Sequence, residues 1–138
     1  MIILDTTVVS ELMRSEPSPA VVRWVGQQHL SELRICAVTV AEILYGIERL
    51  PDGRRKVALR ESAHELFSRF ADEVIAFDGR AAKLYAEIVD LRERSGTPIS
   101  GFDAQIASIC RVHDAALATR NERDFVGVGL RLMNPWST

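Results

Sequence analysis

The sequence lacks the long apolar segments that membrane insertion and export require. No window of its 138 residues approaches eighteen consecutive apolar residues, and the chain does not open with a basic stretch followed by an apolar one. A membrane-spanning helix needs about twenty apolar residues, and a secretory signal needs both of those features. The sequence therefore predicts a cytoplasmic protein without membrane contact.

Cysteine and histidine are scarce, and their spacing fits no metal site. The two cysteines form no C-x-x-C pair, and no two of the three histidines lie at a metal-binding spacing. Cys36 lies in an apolar strand-like run and Cys110 in an apolar helical one. Buried free thiols are predicted at both positions, in preference to a disulfide or a zinc site.

Net charge is also small, at −2, so bulk charge would not bind this chain to nucleic acid. Any such contact has to be local. The five prolines and eight glycines are scattered, and no low-complexity tract or internal repeat interrupts the sequence. With 47% hydrophobic residues, the chain has the size and balance of one compact domain over residues 1–138.

Strand and helix signals alternate along the chain. The apolar residues 1–4 show no alternation, which is typical of a strand buried on both faces of a parallel sheet. Further strands are predicted at 33–38, 74–77 and 115–119, with a candidate fifth at 130–134; helices are predicted at 7–13, 19–30, 39–50, 53–71, 79–96 and 99–114. This order predicts an α/β fold, with a mostly parallel central sheet of four to five strands and helices on both faces.

Acidic residues follow several of these strands. Asp5 ends the first strand, Glu42 and Asp103 are expected in first turns of helices, and Asp124 follows the strand at 115–119. In parallel sheets, strand carboxyl ends and helix amino ends share one edge, where ligands usually bind. The four acids are therefore expected to converge there.

Two of these acids also fit a purely structural role. The stretches from Thr39 to Glu42 and from Ser100 to Asp103 match the capping-box pattern, in which an acid at the third helical position caps the helix start. Capping does not account for Asp5, since it ends a strand and Thr6 and Thr7 are better placed to cap the next helix. Asp5 therefore favours a functional cluster.

Clustered carboxylates repel one another unless a divalent cation neutralises them. Oxygen ligands without cysteine or histidine favour Mg²⁺ or Mn²⁺. Such an ion can activate a bound water for attack on a phosphodiester and stabilise the charge that develops on the phosphate oxygens. The acids therefore indicate nuclease chemistry.

Five separated motifs, MIILDTTVVSEL, AVTVAEILYGIERL, ISGFDAQIASIC, ATRNERDF and the terminal NPW, resemble those of PIN-domain ribonucleases, in particular the VapC and FitB toxins. The resemblance covers essentially the whole chain. It implies a PIN-like fold and a Mg²⁺- or Mn²⁺-dependent endoribonuclease, usually a homodimer, that a small antitoxin protein inhibits. It also implies that Asp5, Glu42 and Asp103 are catalytic acids, with Asp5 and Asp103 as metal ligands.

The chain departs from the family pattern at two positions. Thr7 stands where the family usually has asparagine, and Asn121 stands where many relatives carry a fourth acid. Either Asp124 serves as the fourth acid, or Asn121 contributes a neutral oxygen. Thr119, at a strand end, is placed to hydrogen-bond an acid or a ligand water, and Thr6 is a further candidate supporting residue.

The arginines after the strand at 115–119 are candidate RNA contacts. Arg120 and Arg123 flank Asn121, and the arginine side chain matches phosphate geometry well. Surface solvation explains them equally well. An acidic pocket is also open to a basic side chain of a partner, so we expect the antitoxin to block the site with such a residue or with a segment laid across it.

Other functions fit the sequence less well. A phosphotransferase with Asp5 as nucleophile needs a lysine near the strand ends, but the only two lysines, Lys56 and Lys83, lie inside helical patterns. The same lack argues against a phosphorylated receiver domain. A degenerate PIN fold that binds RNA or a partner without cleavage stays open because of Thr7 and Asn121.

Overall fold

The computed structural model describes residues 1–70 and 74–137. Its strands are β1 (Ile2–Leu4), β2 (Leu33–Arg34), β3 (Ala116–Ala118) and β4 (Leu132–Met133). Its helices are α1 (Thr6–Leu12), α2 (Pro19–Gly26), α3 (Ala37–Glu48), α4 (Arg54–Phe70), α5 (Gly79–Arg94) and α6 (Gly101–Val112), with short 3-10 helices at Leu30–Glu32 and Glu122–Phe125. None of the helices in these two ranges has both the length and the apolar character needed to cross a bilayer.

The four strands form one parallel sheet in the order β2-β1-β3-β4. Successive side chains of a strand face opposite sides, and here both sides are covered. Ile3 and Leu117 pack with residues of α5 and α6, whereas Leu4 and Ala118 pack with residues of α1 to α4. The predicted fold class is confirmed, and the two central strands end side by side at one edge.

Two predicted strand boundaries were wrong. The strand expected at 33–38 ends at Arg34, and α3 begins at Ala37 with Cys36 as its N-cap residue. The strand expected at 74–77 is reduced to one parallel bridge between Cys36 and Ile75. The chain turns into α3 directly after this bridge, so the pairing has no room to extend.

Two further predicted elements and the predicted state of both cysteines agree with the structure. The candidate fifth strand is present as β4, and the long helical region is present as α4; its predicted last residue, 71, lies outside the described residues. Cys36 and Cys110 are buried free thiols, as predicted.

Candidate active site

Asp5 lies at the carboxyl edge of the sheet, one residue beyond β1. Its backbone N–H donates to the Ala118 carbonyl at 2.9 Å, which continues the pairing with β3. The side chain is only 4% exposed, and its Oδ2 accepts hydrogen bonds from the hydroxyls of Thr119 at 2.7 Å and Thr7 at 3.1 Å. Within the described ranges no basic side chain forms an ion pair with it. A buried carboxylate with only neutral partners favours binding of a cation.

Asp5 occupies the N-cap position of α1 without capping it, because its carboxylate accepts no bond from the helix backbone. Thr6 and Thr7, expected as caps, instead lie inside the first turn of α1. The Thr7 hydroxyl also accepts the Arg120 backbone N–H at 3.2 Å, and the Thr119 hydroxyl accepts that of Asn121 at 3.0 Å. The two threonines therefore tie Asp5 to the turn that follows β3.

Glu42 lies in the second turn of α3, so its predicted place in a first turn was wrong. The helix begins earlier than expected, and Thr39 is a buried residue within it whose hydroxyl donates to the Leu4 carbonyl at 3.5 Å. The capping explanation for Glu42 therefore fails. Its Oε1 instead accepts a hydrogen bond from the Thr6 hydroxyl at 2.8 Å, which holds this carboxylate beside the edge that carries Asp5.

Asp103 lies in the first turn of α6, where its backbone N–H is capped and the pKa of its carboxyl is shifted by its surroundings. The Ser100 hydroxyl accepts the Asp103 backbone N–H at 3.2 Å, so this half of the predicted capping box is present. Burial is the largest cause that raises the pKa of the Asp103 carboxyl to about 6; the negative charges of Asp5, Asp124 and Glu42 add to the rise, against a hydrogen bond from Ser100. The charges of Asp5, Asp124 and Glu42 therefore all act on Asp103.

Two residues of one short segment, Asn121 and Asp124, are the candidates for the fourth acidic position. Asn121 is the N-cap residue of the 3-10 helix that contains Asp124, and both residues are exposed. Asp124 contributes to the raised pKa of Asp103. The charge of its carboxylate therefore acts on Asp103.

Arg120 and Arg123 lie on the same segment. The Arg120 guanidinium lies 5.1 Å from the centroid of the Trp136 ring, a stacking distance that fixes its direction. No role for Trp136 was predicted, because nothing in the sequence shows that the chain end returns to this edge. A cavity of about 360 Å³ is lined by Arg120, Asn121, Glu122, Arg123 and Asp124. Two arginines therefore line the same cavity as Asp124.

The donor set can be compared with the needs of a divalent ion. In residues 1–70 and 74–137, no three acidic, histidine or cysteine side chains are close enough together to form a preformed metal cage. Mg²⁺ needs no such cage, since it keeps several waters and is held by one or two carboxylates. The buried carboxylate of Asp5, together with Asp103, fits a hydrated hard cation and does not fit zinc.

A larger groove begins at the same edge. It has a volume of about 690 Å³, lies between α1, α3 and α4, and is lined at one end by Thr6 and Glu42. Its wall is mainly apolar, with basic groups added by Arg14 and Arg55. An extended or helical segment of another molecule could therefore reach Glu42 along a mostly apolar path.

The sequence matches known proteins over nearly its full length. Residues 2–129 match the PIN domain model. The chain is 39% identical to the plasmid stability protein StbB of Pseudomonas syringae pv. tomato, 36% to the VapC ribonuclease Y4jK of Sinorhizobium fredii and 34% to the toxin FitB of Neisseria gonorrhoeae. Each match covers 99% of this chain, and 99%, 98% and 99% of the respective relative.

The fold also matches solved structures. The crystal structure of FitAcB from Neisseria gonorrhoeae superposes with a TM-score of 0.92 at 33% identity, and the match covers 100% of each chain.

Proposed function

The chain belongs to the PIN-domain family, and from that premise we propose that it is a metal-dependent endoribonuclease that acts as the toxin of a toxin–antitoxin pair. The names of its relatives, a VapC ribonuclease and the toxin FitB, support both parts of the proposal. The observation that carries the catalytic part is the placement of Asp5, which is buried one residue beyond β1 at the carboxyl edge of the sheet, is held there by the Thr7 and Thr119 hydroxyls, and acts electrostatically on Asp103.

Asp5 and Asp103 are the proposed ligands of a hydrated Mg²⁺ or Mn²⁺. When bound there, such an ion lowers the pKa of a coordinated water and stabilises negative charge on the phosphate oxygens. The Thr7 and Thr119 hydroxyls orient Asp5 through their hydrogen bonds. Glu42, whose Oε1 is held by Thr6, is the proposed acceptor of the proton from the attacking water.

We assign the fourth acidic position to Asp124. Its charge acts on Asp103, whereas Asn121 carries no charge and serves the segment as the N-cap residue of the 3-10 helix. Arg120, stacked on Trp136, and Arg123 are the proposed contacts to RNA phosphates.

The proposed partner is an antitoxin protein that enters the groove beside Thr6 and Glu42. The apolar wall suits an amphipathic segment, and a basic side chain at its end would pair with the carboxylates in place of the cation. A complex in which Asp5 still binds added Mn²⁺ would contradict this mode of inhibition. A homodimer and a cytoplasmic location, both expected from the sequence, stay predictions.

The phosphotransferase reading gains no support. Lys56 lies on α4, where its Nζ donates to Asp52 at 3.3 Å and to the Glu48 carbonyl at 3.1 Å, and Lys83 is exposed on α5. Neither lysine adjoins Asp5. A PIN fold that binds RNA without cleaving it is the other outcome that an experiment has to separate.

The test is cleavage of a mixed RNA pool by the purified chain, with Mg²⁺, with Mn²⁺ and with chelator. We expect metal-dependent cleavage that Asp5→Asn reduces by at least about 100-fold, since removing a metal ligand costs several kcal/mol of transition-state stabilisation. Asp114→Asn is the matched control. Asp114 is exposed, precedes β3 at the opposite edge, and has a positive φ of 49° that asparagine tolerates. Absence of cleavage by a folded protein that binds Mn²⁺ would favour the binding-only reading.

A further inference from the structure

Arg92 is a buried charge that the proposed catalytic site does not use directly. It lies in the last turn of α5, and only 8% of it is exposed. Among the described residues no carboxylate forms an ion pair with it, although burying an unpaired guanidinium is costly. A charge kept in such a place needs other partners, and its hydrogen bonds identify them.

The guanidinium donates to backbone carbonyls of two separate segments. Its Nε donates to the Thr97 carbonyl at 2.6 Å and to the Thr97 hydroxyl at 3.2 Å. Its Nη1 donates to the carbonyls of Asp124 at 2.8 Å and Val126 at 3.3 Å. Hydrogen bonds from a charged donor are stronger than neutral ones, especially where water is excluded. Arg92 therefore joins the loop after α5 to the 3-10 helix Glu122–Phe125.

Each of these segments carries an acid of the proposed site. The loop that contains Thr97 leads into α6 and to Asp103, and the 3-10 helix carries Asp124. The two carboxylates repel each other, and the Asp124 side chain is exposed. Phe125 anchors the 3-10 helix in the core, and Arg92 holds the backbone carbonyls on either side of it, those of Asp124 and Val126.

We propose that Arg92 is the positioning residue that holds Asp124 in the active site, through the bridge from Thr97 to the carbonyls of Asp124 and Val126. This inference rests on the proposed nuclease function. The bridge requires two different nitrogens of one planar group. Lysine keeps the charge but offers a single nitrogen, so it cannot reproduce the bridge.

The structural test is amide hydrogen exchange of Arg92→Lys in the metal-free protein. The Asp124 N–H donates to the Asn121 carbonyl and the Thr97 N–H to the Arg92 carbonyl, both at 3.0 Å, so these amides report on the two segments. We expect at least tenfold faster exchange at both, with no change in the core of α6. Arg94→Lys is the matched control, because Arg94 is on the same helix turn, its side chain is 72% exposed, and it forms an ion pair with Asp90 at the surface.

The functional test is a double-mutant cycle on the single-turnover cleavage rate of RNA at saturating metal. We expect Arg92→Lys to slow cleavage about tenfold alone and less than twofold when Asp124→Asn is already present, because the arginine acts through Asp124. A general structural role would slow both backgrounds equally, and that result would overturn the proposal. Arg94→Lys should leave both rates unchanged.

Folding and function are separable in this design. Arg92→Gln is made alongside Arg92→Lys, and each is assayed below its own melting temperature. If neither variant folds, Arg92 supports the whole domain and the positioning role is wrong. If the wild type cleaves no RNA, the nuclease proposal fails, while hydrogen exchange still decides whether Arg92 anchors the Asp124 segment.

Discussion

Asp103 is expected to destabilise the metal-free protein at neutral pH, so replacing it with asparagine should raise stability while removing activity. Burial and the charges of Asp5, Asp124 and Glu42 raise its pKa from 3.8 to about 6. The folded chain therefore holds a proton that the unfolded chain has released between about pH 4 and pH 6. The contribution of this proton to stability is fully present below the ordinary pKa of 3.8 and is lost as the pH rises through the folded pKa of about 6.

The size of the effect follows from the size of the rise. A pKa raised from 3.8 to about 6 corresponds to at most about 3 kcal/mol, and solvent screening of a half-buried carboxyl reduces this to about 1–2 kcal/mol. Asparagine keeps a side-chain oxygen but loses a favourable interaction with the dipole of α6 of about 0.5 kcal/mol. We expect Asp103→Asn to raise the free energy of unfolding at pH 7.5 by about 1 kcal/mol, or the melting temperature by about 3 °C.

The measurement is thermal melting of wild type and Asp103→Asn in chelator, at one protein concentration, at pH 4 and pH 7.5. The difference should be present at pH 7.5 and much smaller at pH 4, where Asp103 is neutral in the folded state and only partly ionised in the unfolded state. Added Mn²⁺ should stabilise the wild type more than the variant, since ligand binding to the folded state alone raises stability. Asp114→Asn serves as the control. A variant that is less stable than wild type by the same amount at both pH values would refute the electrostatic reasoning.

Three further predictions concern neighbouring residues. Thr119→Val should lower stability by about 1.5–3 kcal/mol, because it removes the 2.7 Å hydrogen bond to the buried Asp5 carboxylate; thermal melting should show that Thr119→Ser restores it. Asp124→Asn should slow RNA cleavage by about 100-fold, while Asn121→Ala should change it less than about threefold; equal losses in single-turnover assays would reassign the fourth position. Arg120→Gln should raise KM about tenfold with little change in kcat and reduce the salt dependence of RNA binding by about one phosphate contact; an unchanged KM would return Arg120 to simple surface solvation.

The parts of the site that a strand pattern encodes could be predicted from the sequence. The uninterrupted apolar run before Asp5 specifies a strand buried on both faces, and its carboxyl end is the ligand-binding edge of a parallel sheet. The hydroxyl at Ser100 similarly marks the start of α6, which fixes Asp103 in the first turn. Local residue chemistry is sufficient in both cases.

The parts that depend on tertiary contacts could not be predicted. The helix that carries Glu42 starts at Ala37 although Cys36 offers no side-chain cap, while Thr39, the better cap by type, is buried against Leu4. Arg92 bonds to backbone carbonyls, and because every residue has a carbonyl, such partners leave no trace in a sequence. Its burial became visible only once the fold was known.

The most direct test of the proposed site is a titration of the metal-free protein with Mn²⁺. Binding is measured as the loss of the electron paramagnetic resonance signal of the free ion. We expect saturable binding by the wild type and by Asp114→Asn, and at least tenfold weaker binding by Asp5→Asn and by Asp103→Asn. Equal affinity in all four proteins, or no saturable binding by the wild type, would contradict the claim that these carboxylates form a single cation site.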